Sequence, residues 1–266
     1  MTCLQYLNHI SQRINKEKEN EEKSIRTSLD TLKTHLNNWP KANEILEHHE
    51  FGSFVRGTKL PKSIDSDTDI DYMVVFDSSR FKPQTYIEKI REFANKYYKY
   101  SPVHQDHPTM VIELGNVRFE ITPAVKMYGA FYPRYNIPAP QQSFLQWIDT
   151  YPEEIEHSLN EANRRCDYML KPLIRLLKYW NVKNGKILTS FKIEQYVSSH
   201  VFYGCSNLED YFLEGANWLS MAQTMTEDQR KKVKALQLAL SEIQRYKQNG
   251  QEALAVLQLR SILPDL

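Results

Sequence analysis

Three carboxylates carry the first chemical signal in this chain. Asp69 and Asp71 stand two residues apart, immediately before the apolar run 72–76, which reads as a buried strand. Residues of one parity share a strand face, so the two aspartates point the same way. Glu120 lies in a second strand-like run, 117–124, where alternation sets Arg118, Glu120 and Thr122 opposite Val117, Phe119 and Ile121. Crowded carboxylates repel one another and resist ionisation unless a cation sits among them. Hard cations such as Mg²⁺ take oxygen ligands, usually one or two carboxylates plus substrate phosphates. Paired metals in phosphoryl chemistry stand roughly 3.5–4 Å apart, flanked by such acids.

Gly52-Ser53 offers complementary equipment. Glycine lets the backbone approach a ligand closely, and exposed N–H groups with a hydroxyl hold phosphate oxygens. Arg56, Thr58 and Lys59 lie close enough in sequence to add charge or hydrogen bonds, and Gly57-Thr58 makes a second small-residue turn.

The ordered set Gly52-Ser53, Gly57-Thr58, Asp69-Ile70-Asp71 and Phe119-Glu120-x-x-Pro123-Ala124 resembles the polymerase-β-type nucleotidyltransferases. Within that superfamily it is most similar to the branch of oligoadenylate synthases, cyclic GMP-AMP synthase and bacterial CD-NTases. The runs 170–181 (LKPLIRLLKYWN) and 190–194 (SFKIE) are similar to that branch's helical-lobe signatures, so the resemblance spans about residues 51–197. Asp65 and Asp67 crowd the acidic pair; Asp69/Asp71 is chosen because the family's pair directly precedes its apolar strand. The third acid is Glu where many relatives have Asp. The resemblance implies an α+β, two-lobed fold: a mixed-sheet catalytic lobe with an N-terminal spine helix (1–140), and an all-helical lobe (141–266) completing a nucleotide cleft. It implies two Mg²⁺ or Mn²⁺ ions on Asp69, Asp71 and Glu120. It further implies phosphate contacts from Lys178 and Ser190, and base stacking by Phe191. The implied activity is synthesis of a cyclic or linear oligonucleotide second messenger from nucleoside triphosphates. Anti-phage signalling is the implied setting, with activator or effector proteins of a defence operon as partners. Two alternatives stay open: transfer onto a macromolecule such as a tRNA 3′ end or a protein, and a non-catalytic nucleotide-binding scaffold.

The elements that must position these residues read as follows. Leu4, Leu7, Ile10 and Ile14, then Ile25, Leu29, Leu32 and Leu36, repeat at helical spacing and predict a helix over 3–38, with a solvated charged run at 16–23. A short helix is expected over 41–48 and another over 85–96. Strands are expected over 98–105, 108–114 and 117–121. Residues 78–83 read as a loop. Residues 123–140, rich in proline and in aromatics such as Tyr128, Phe131, Tyr132 and Tyr135, read as a loop or lobe linker. Residues 145–181 read as helical, with Pro172 kinking the helix or starting a new one. Lys171, Arg175 and Lys178 form a basic stripe whose commonest role is a solvated surface. Ser190 reads as an N-cap for a helix to His200, where Phe191 serves equally as a core residue. Residues 210–219 are ambiguous. Thr226-x-x-Gln229 is a capping box for a helix to Gln248, which Gly250 terminates, and a last helix runs over 251–262.

At 266 residues the chain can bury a sizeable core, as one large or two small domains. Its 34 basic and 33 acidic residues leave a net charge of +1, so composition does not require a nucleic-acid partner. Three widely spaced cysteines and no zinc-type Cys/His spacing fit reduced thiols in a cytoplasm. Residues 1–10 do not read as a signal peptide, and no apolar run has membrane-spanning length.

Overall fold

The computed structural model describes residues 1–77, 80–127, 132–140, 146–219 and 225–266. Tyr128, Phe131, Leu145 and Ser78, which fall in expected elements, lie outside them. The described chain forms two compact units: Glu21–Gly57 with Asp67–His157, and Met1–Asn20 with Thr58–Ser66 and Ser158–Leu266. They interleave along the chain. The long helix α1, Cys3–Asn37, matches the expected spine and contributes to both.

The first unit is built on a seven-stranded mixed sheet of order β1-β2-β5-β4-β3, with β6 on β5 and β7 on β6. The strands are β1 Ile45–Glu50, β2 Ile70–Phe76, β3 Val103–Asp106, β4 Thr109–Glu113, β5 Arg118–Met127, β6 Arg134–Pro138 and β7 Trp147–Thr150. Strands β2 and β5 run parallel; the other pairs are antiparallel. The period of two sorts their side chains. Ile70, Tyr72, Val74 and Phe76, with Phe119 and Ile121, join Ile87, Ile90 and Phe93 of α3 (Pro83–Tyr97) and Ile25, Leu29 and Leu32 of α1 in the main core. Asp71, Met73 and Val75 therefore face the other side, where Met73 and Val75 pack with Ala124 and Tyr135.

Several expectations are corrected in this unit. Residues 41–48 are not a helix: a 3₁₀ turn, Ala42–Glu44, leads into β1, which pairs with β2 from Ile45↔Phe76 to Glu50↔Tyr72. A helix that short is marginal alone, and ladder pairing satisfies more of its backbone. The expected strand at 98 begins only at Val103, because the Tyr98 and Ser101 amides close the end of α3 as turns. The expected linker at 123–140 contains the end of β5 and all of β6. Pro123 is tolerated there because it falls between the β4 pairing, which ends at Ile121, and the β6 pairing, which starts at Val125. Within the expected helical run 145–181, Trp147–Thr150 is instead a strand, β7, before α4 (Pro152–Arg165).

The second unit is helical. Asp167 and Tyr168, both at positive φ, break α4 from α5 (Leu170–Lys183), and Pro172 sits in the first turn of α5, where its missing N–H costs nothing. Helix α6 is Ser190–Ser199, and α7, Leu208–Trp218, resolves the ambiguous stretch. The capping box of Thr226 and Gln229 opens α8, Glu227–Gln248, and α9 is Glu252–Ile262. Leu7, Ile10 and Ile14 of α1 pack with Leu173, Ile174 and Leu177 of α5, Ile193 of α6 and Phe212 of α7. No described helix is long and apolar enough to cross a membrane.

Candidate active site

Asp71 and Glu120 are direct partners in the parallel β2–β5 register, on the face opposite the main core. Asp69 precedes β2 and interacts electrostatically with both. The turn at Gly52 is built against this pair. The Phe51 amide donates to the Asp71 carbonyl at 3.1 Å, and the chain then enters α2, Gly52–Val55. Gly52 has φ +76°, and a Cβ there would lie 1.8 Å from Asp71 Oδ2. No other residue type fits without displacing the carboxylate. The Ser53 amide donates to Asp71, and the Arg56 guanidinium, itself buried, adds positive charge.

Burial, then Asp69 and Glu120, push the Asp71 pKa up to about 8 despite Arg56 and the Ser53 amide. Burial and Asp69 push Glu120 up to about 7 against the pull of Arg118. Arg118 Nη2 donates to Glu120 Oε1 at 2.9 Å. Among the described residues no three His, Cys, Asp or Glu side chains converge as a ready-made metal site. The donor set nevertheless fits a hard divalent cation: every donor is a carboxylate oxygen, and such a cation offsets both the burial and the mutual repulsion that raise their pKa values.

The other expected site residues belong to the helical unit. Lys178 is not on a solvated stripe. It is buried beside Arg175, whose pKa burial lowers to about 10. Lys178 Nζ donates to Glu194 Oε1 at 2.5 Å and to the Thr58 carbonyl at 3.1 Å. The Thr58 hydroxyl donates to the same Glu194 oxygen at 2.8 Å. The N-cap of α6 is Thr189, whose hydroxyl accepts from the Lys192 amide, so Ser190 is the first helical residue rather than the cap. Phe191 is 39% exposed and is not a core residue.

Gly52, Ser53, Arg56, Asp69, Asp71 and Glu120 are thus brought together in the sheet unit, while Thr58, Lys178, Ser190 and Phe191 lie in the helical unit. Two residues had no assigned role from sequence. Arg118 was visible as the same-face neighbour of Glu120. Glu194 pairs with a lysine sixteen positions away, a separation that carries no local pattern.

Residues 1–163 match the family described as the Second Messenger Oligonucleotide or Dinucleotide Synthetase domain. The chain is 27% identical over 245 residues to a probable cyclic nucleotide synthase of Bacillus cereus (strain VD146), covering 75% of this chain and 68% of that protein. It is 26% identical over 198 residues to a cyclic AMP-AMP-AMP synthase of Acinetobacter sp., covering 70% of this chain and 54% of that one. Its fold is similar to that of the Bradyrhizobium diazoefficiens CD-NTase CdnG in complex with GTP, with a TM-score of 0.66 and 10% identity over 92% of this chain and 94% of that chain.

Proposed function

The chain belongs to the Second Messenger Oligonucleotide or Dinucleotide Synthetase family, and we propose that it joins nucleoside triphosphates into a cyclic or linear oligonucleotide second messenger. The observation that carries this reading is the in-register pair Asp71 and Glu120, charge-coupled to Asp69 and overlaid by a turn only glycine can form. A ribose hydroxyl attacks the α-phosphorus of a triphosphate. The new P–O bond forms as the bridging bond to the β-phosphate breaks, pyrophosphate leaves, and the hydroxyl proton passes to the carboxylate cluster or to water. Asp69, Asp71 and Glu120 would hold Mg²⁺ or Mn²⁺, two ions in all, which when bound supply charge stabilisation to the triphosphate and activate the hydroxyl.

The remaining residues divide by their surroundings. The Ser53 amide and Arg56 hold Asp71 in place and offset its charge. Ser190 and Phe191 are exposed at the start of α6, which supports contact with phosphate and base. The enclosure of Lys178 by Glu194 and Thr58 supports a structural role for that lysine instead. The defence setting and its partner proteins rest on the motif resemblance.

The test is incubation of purified protein with labelled ATP, GTP, CTP and UTP plus Mg²⁺ or Mn²⁺, beside an Asp69→Ala/Asp71→Ala control. A phosphatase-resistant small product absent from the control is expected for a cyclic product, and phosphatase-sensitive oligomers for a linear one. Label appearing only on added tRNA or protein would replace this reading.

A further inference from the structure

Arg118 binds one member of the carboxylate set directly. It and Glu120 are two residues apart on β5 and share a face. Its Nη2 holds Glu120 Oε1 at 2.9 Å, and the same Nη2 lies 3.4 Å from Asp106 Oδ2 on β3. Its Nη1 lies 3.4 Å from Glu113 Oε1, on the residue directly opposite it in the β4–β5 ladder. One guanidinium therefore faces three carboxylates, one inside the candidate catalytic set and two outside it. Its Nε has no hydrogen-bond partner among the described residues, so only the two Nη groups pin it. The side chains of Arg118 and Glu120 are about four-fifths buried, whereas Asp106 is largely exposed.

We propose that Arg118 is a positioning residue that acts as a resident counter-cation. In the metal-free protein it occupies Glu120, and when a divalent ion takes Glu120 it passes to Asp106 and Glu113. The exchange rests on the metal-dependent reading of the site given above. It accounts for two observations together: the register pairs Glu120 with Asp71, yet the Glu120 carboxylate is held by the Arg118 guanidinium. A rotation about the side-chain torsions suffices for the exchange, since both alternative acceptors already lie within ion-pair distance. Because Glu120 always has a positive partner, it is never left buried as an uncompensated charge.

The test is Mn²⁺ binding in the absence of nucleotide, read by the electron paramagnetic resonance signal of free Mn²⁺. Arg118→Gln removes the competitor and is expected to tighten binding about twofold to fivefold, the range for loss of one partly exposed ion pair. Arg118→Lys keeps the charge and should stay near the wild-type affinity. Asp106→Asn/Glu113→Gln removes the alternative acceptors and should weaken binding by about twofold to fivefold. Weaker binding in Arg118→Gln would show that Arg118 supports rather than competes for Glu120 and would overturn the exchange. So would unchanged binding in both Arg118→Gln and the Asp106/Glu113 variant, while leaving the metal site itself intact. If neither the wild type nor any variant takes up Mn²⁺, the metal reading falls and the exchange falls with it.

Discussion

One buried charged cluster in each unit invites comparison, and the two are built on opposite logic. In the helical unit, Lys178 and Glu194 are paired, both side chains are 4% exposed, and the Thr58 hydroxyl and carbonyl complete their hydrogen bonds. In the sheet unit, Asp71 and Glu120 lie with Asp69, and burial first, then the neighbouring carboxylates, raises their pKa values against the pull of Arg56 and Arg118. A satisfied pair of opposite charges is explained by folding alone. A crowded set of like charges costs stability, and its retention points to a bound cation and a reaction. Lys178, expected on phosphate, is buried in the satisfied pair with Glu194.

The largest effect that would break this comparison is on turnover. Asp71→Ala should reduce nucleotidyl transfer by on the order of 10³-fold or more, equivalent to several kcal/mol of transition-state stabilisation, with near-normal folding seen by circular dichroism. Glu194→Ala should do the reverse in kind. It strands a buried ammonium and is expected to cost about 3–5 kcal/mol in urea unfolding, whereas a Lys178→Met/Glu194→Leu double variant should recover much of that loss. Gly52→Ala bridges the two behaviours. Its Cβ collides with the Asp71 carboxylate and its φ is left-handed, so it should lose about 1–2 kcal/mol of stability and most of its activity. The smallest effect is on pH dependence. A carboxylic acid with a raised folded-state pKa binds its proton more tightly when folded, so the metal-free protein gains stability from Asp71 and Glu120 at acid pH. That gain is lost as pH rises from about 4, the unfolded carboxylate value, through about 7 to 8. Melting curves of metal-free protein should fall over this window, and added Mn²⁺ should raise the curve most at its upper end.

Much of the sheet-unit site was legible because its signals are local. Strand parity sets Asp69 beside Asp71 and sets Glu120 opposite Phe119 and Ile121, and the apolar run after Asp71 identifies a buried strand; the pairing of Asp71 with Glu120 comes from the β2–β5 register. The capping box at Thr226 and the spine helix were readable for the same reason. What sequence could not show depends on pairing across the chain. Residues 45–50 become a strand only because β2 offers a ladder, and Pro123 stays inside β5 only because its neighbouring strand changes there. The Lys178–Glu194–Thr58 cluster joins positions up to 136 residues apart. Helical spacing alone therefore presented Lys178 as one member of a solvated stripe.

The most direct test of the central claim is the unfolding free energy of metal-free Asp69→Asn protein at pH 8, measured beside its transfer activity. Asp69 raises the pKa of both Asp71 and Glu120, so its neutralisation relieves the repulsion without changing side-chain shape. The account predicts a variant more stable than wild type, by on the order of 1 kcal/mol, and without transferase activity. A variant that is less stable, or one that still joins nucleotides at the wild-type rate, would contradict the claim that this cluster is kept for chemistry at a cost to the fold.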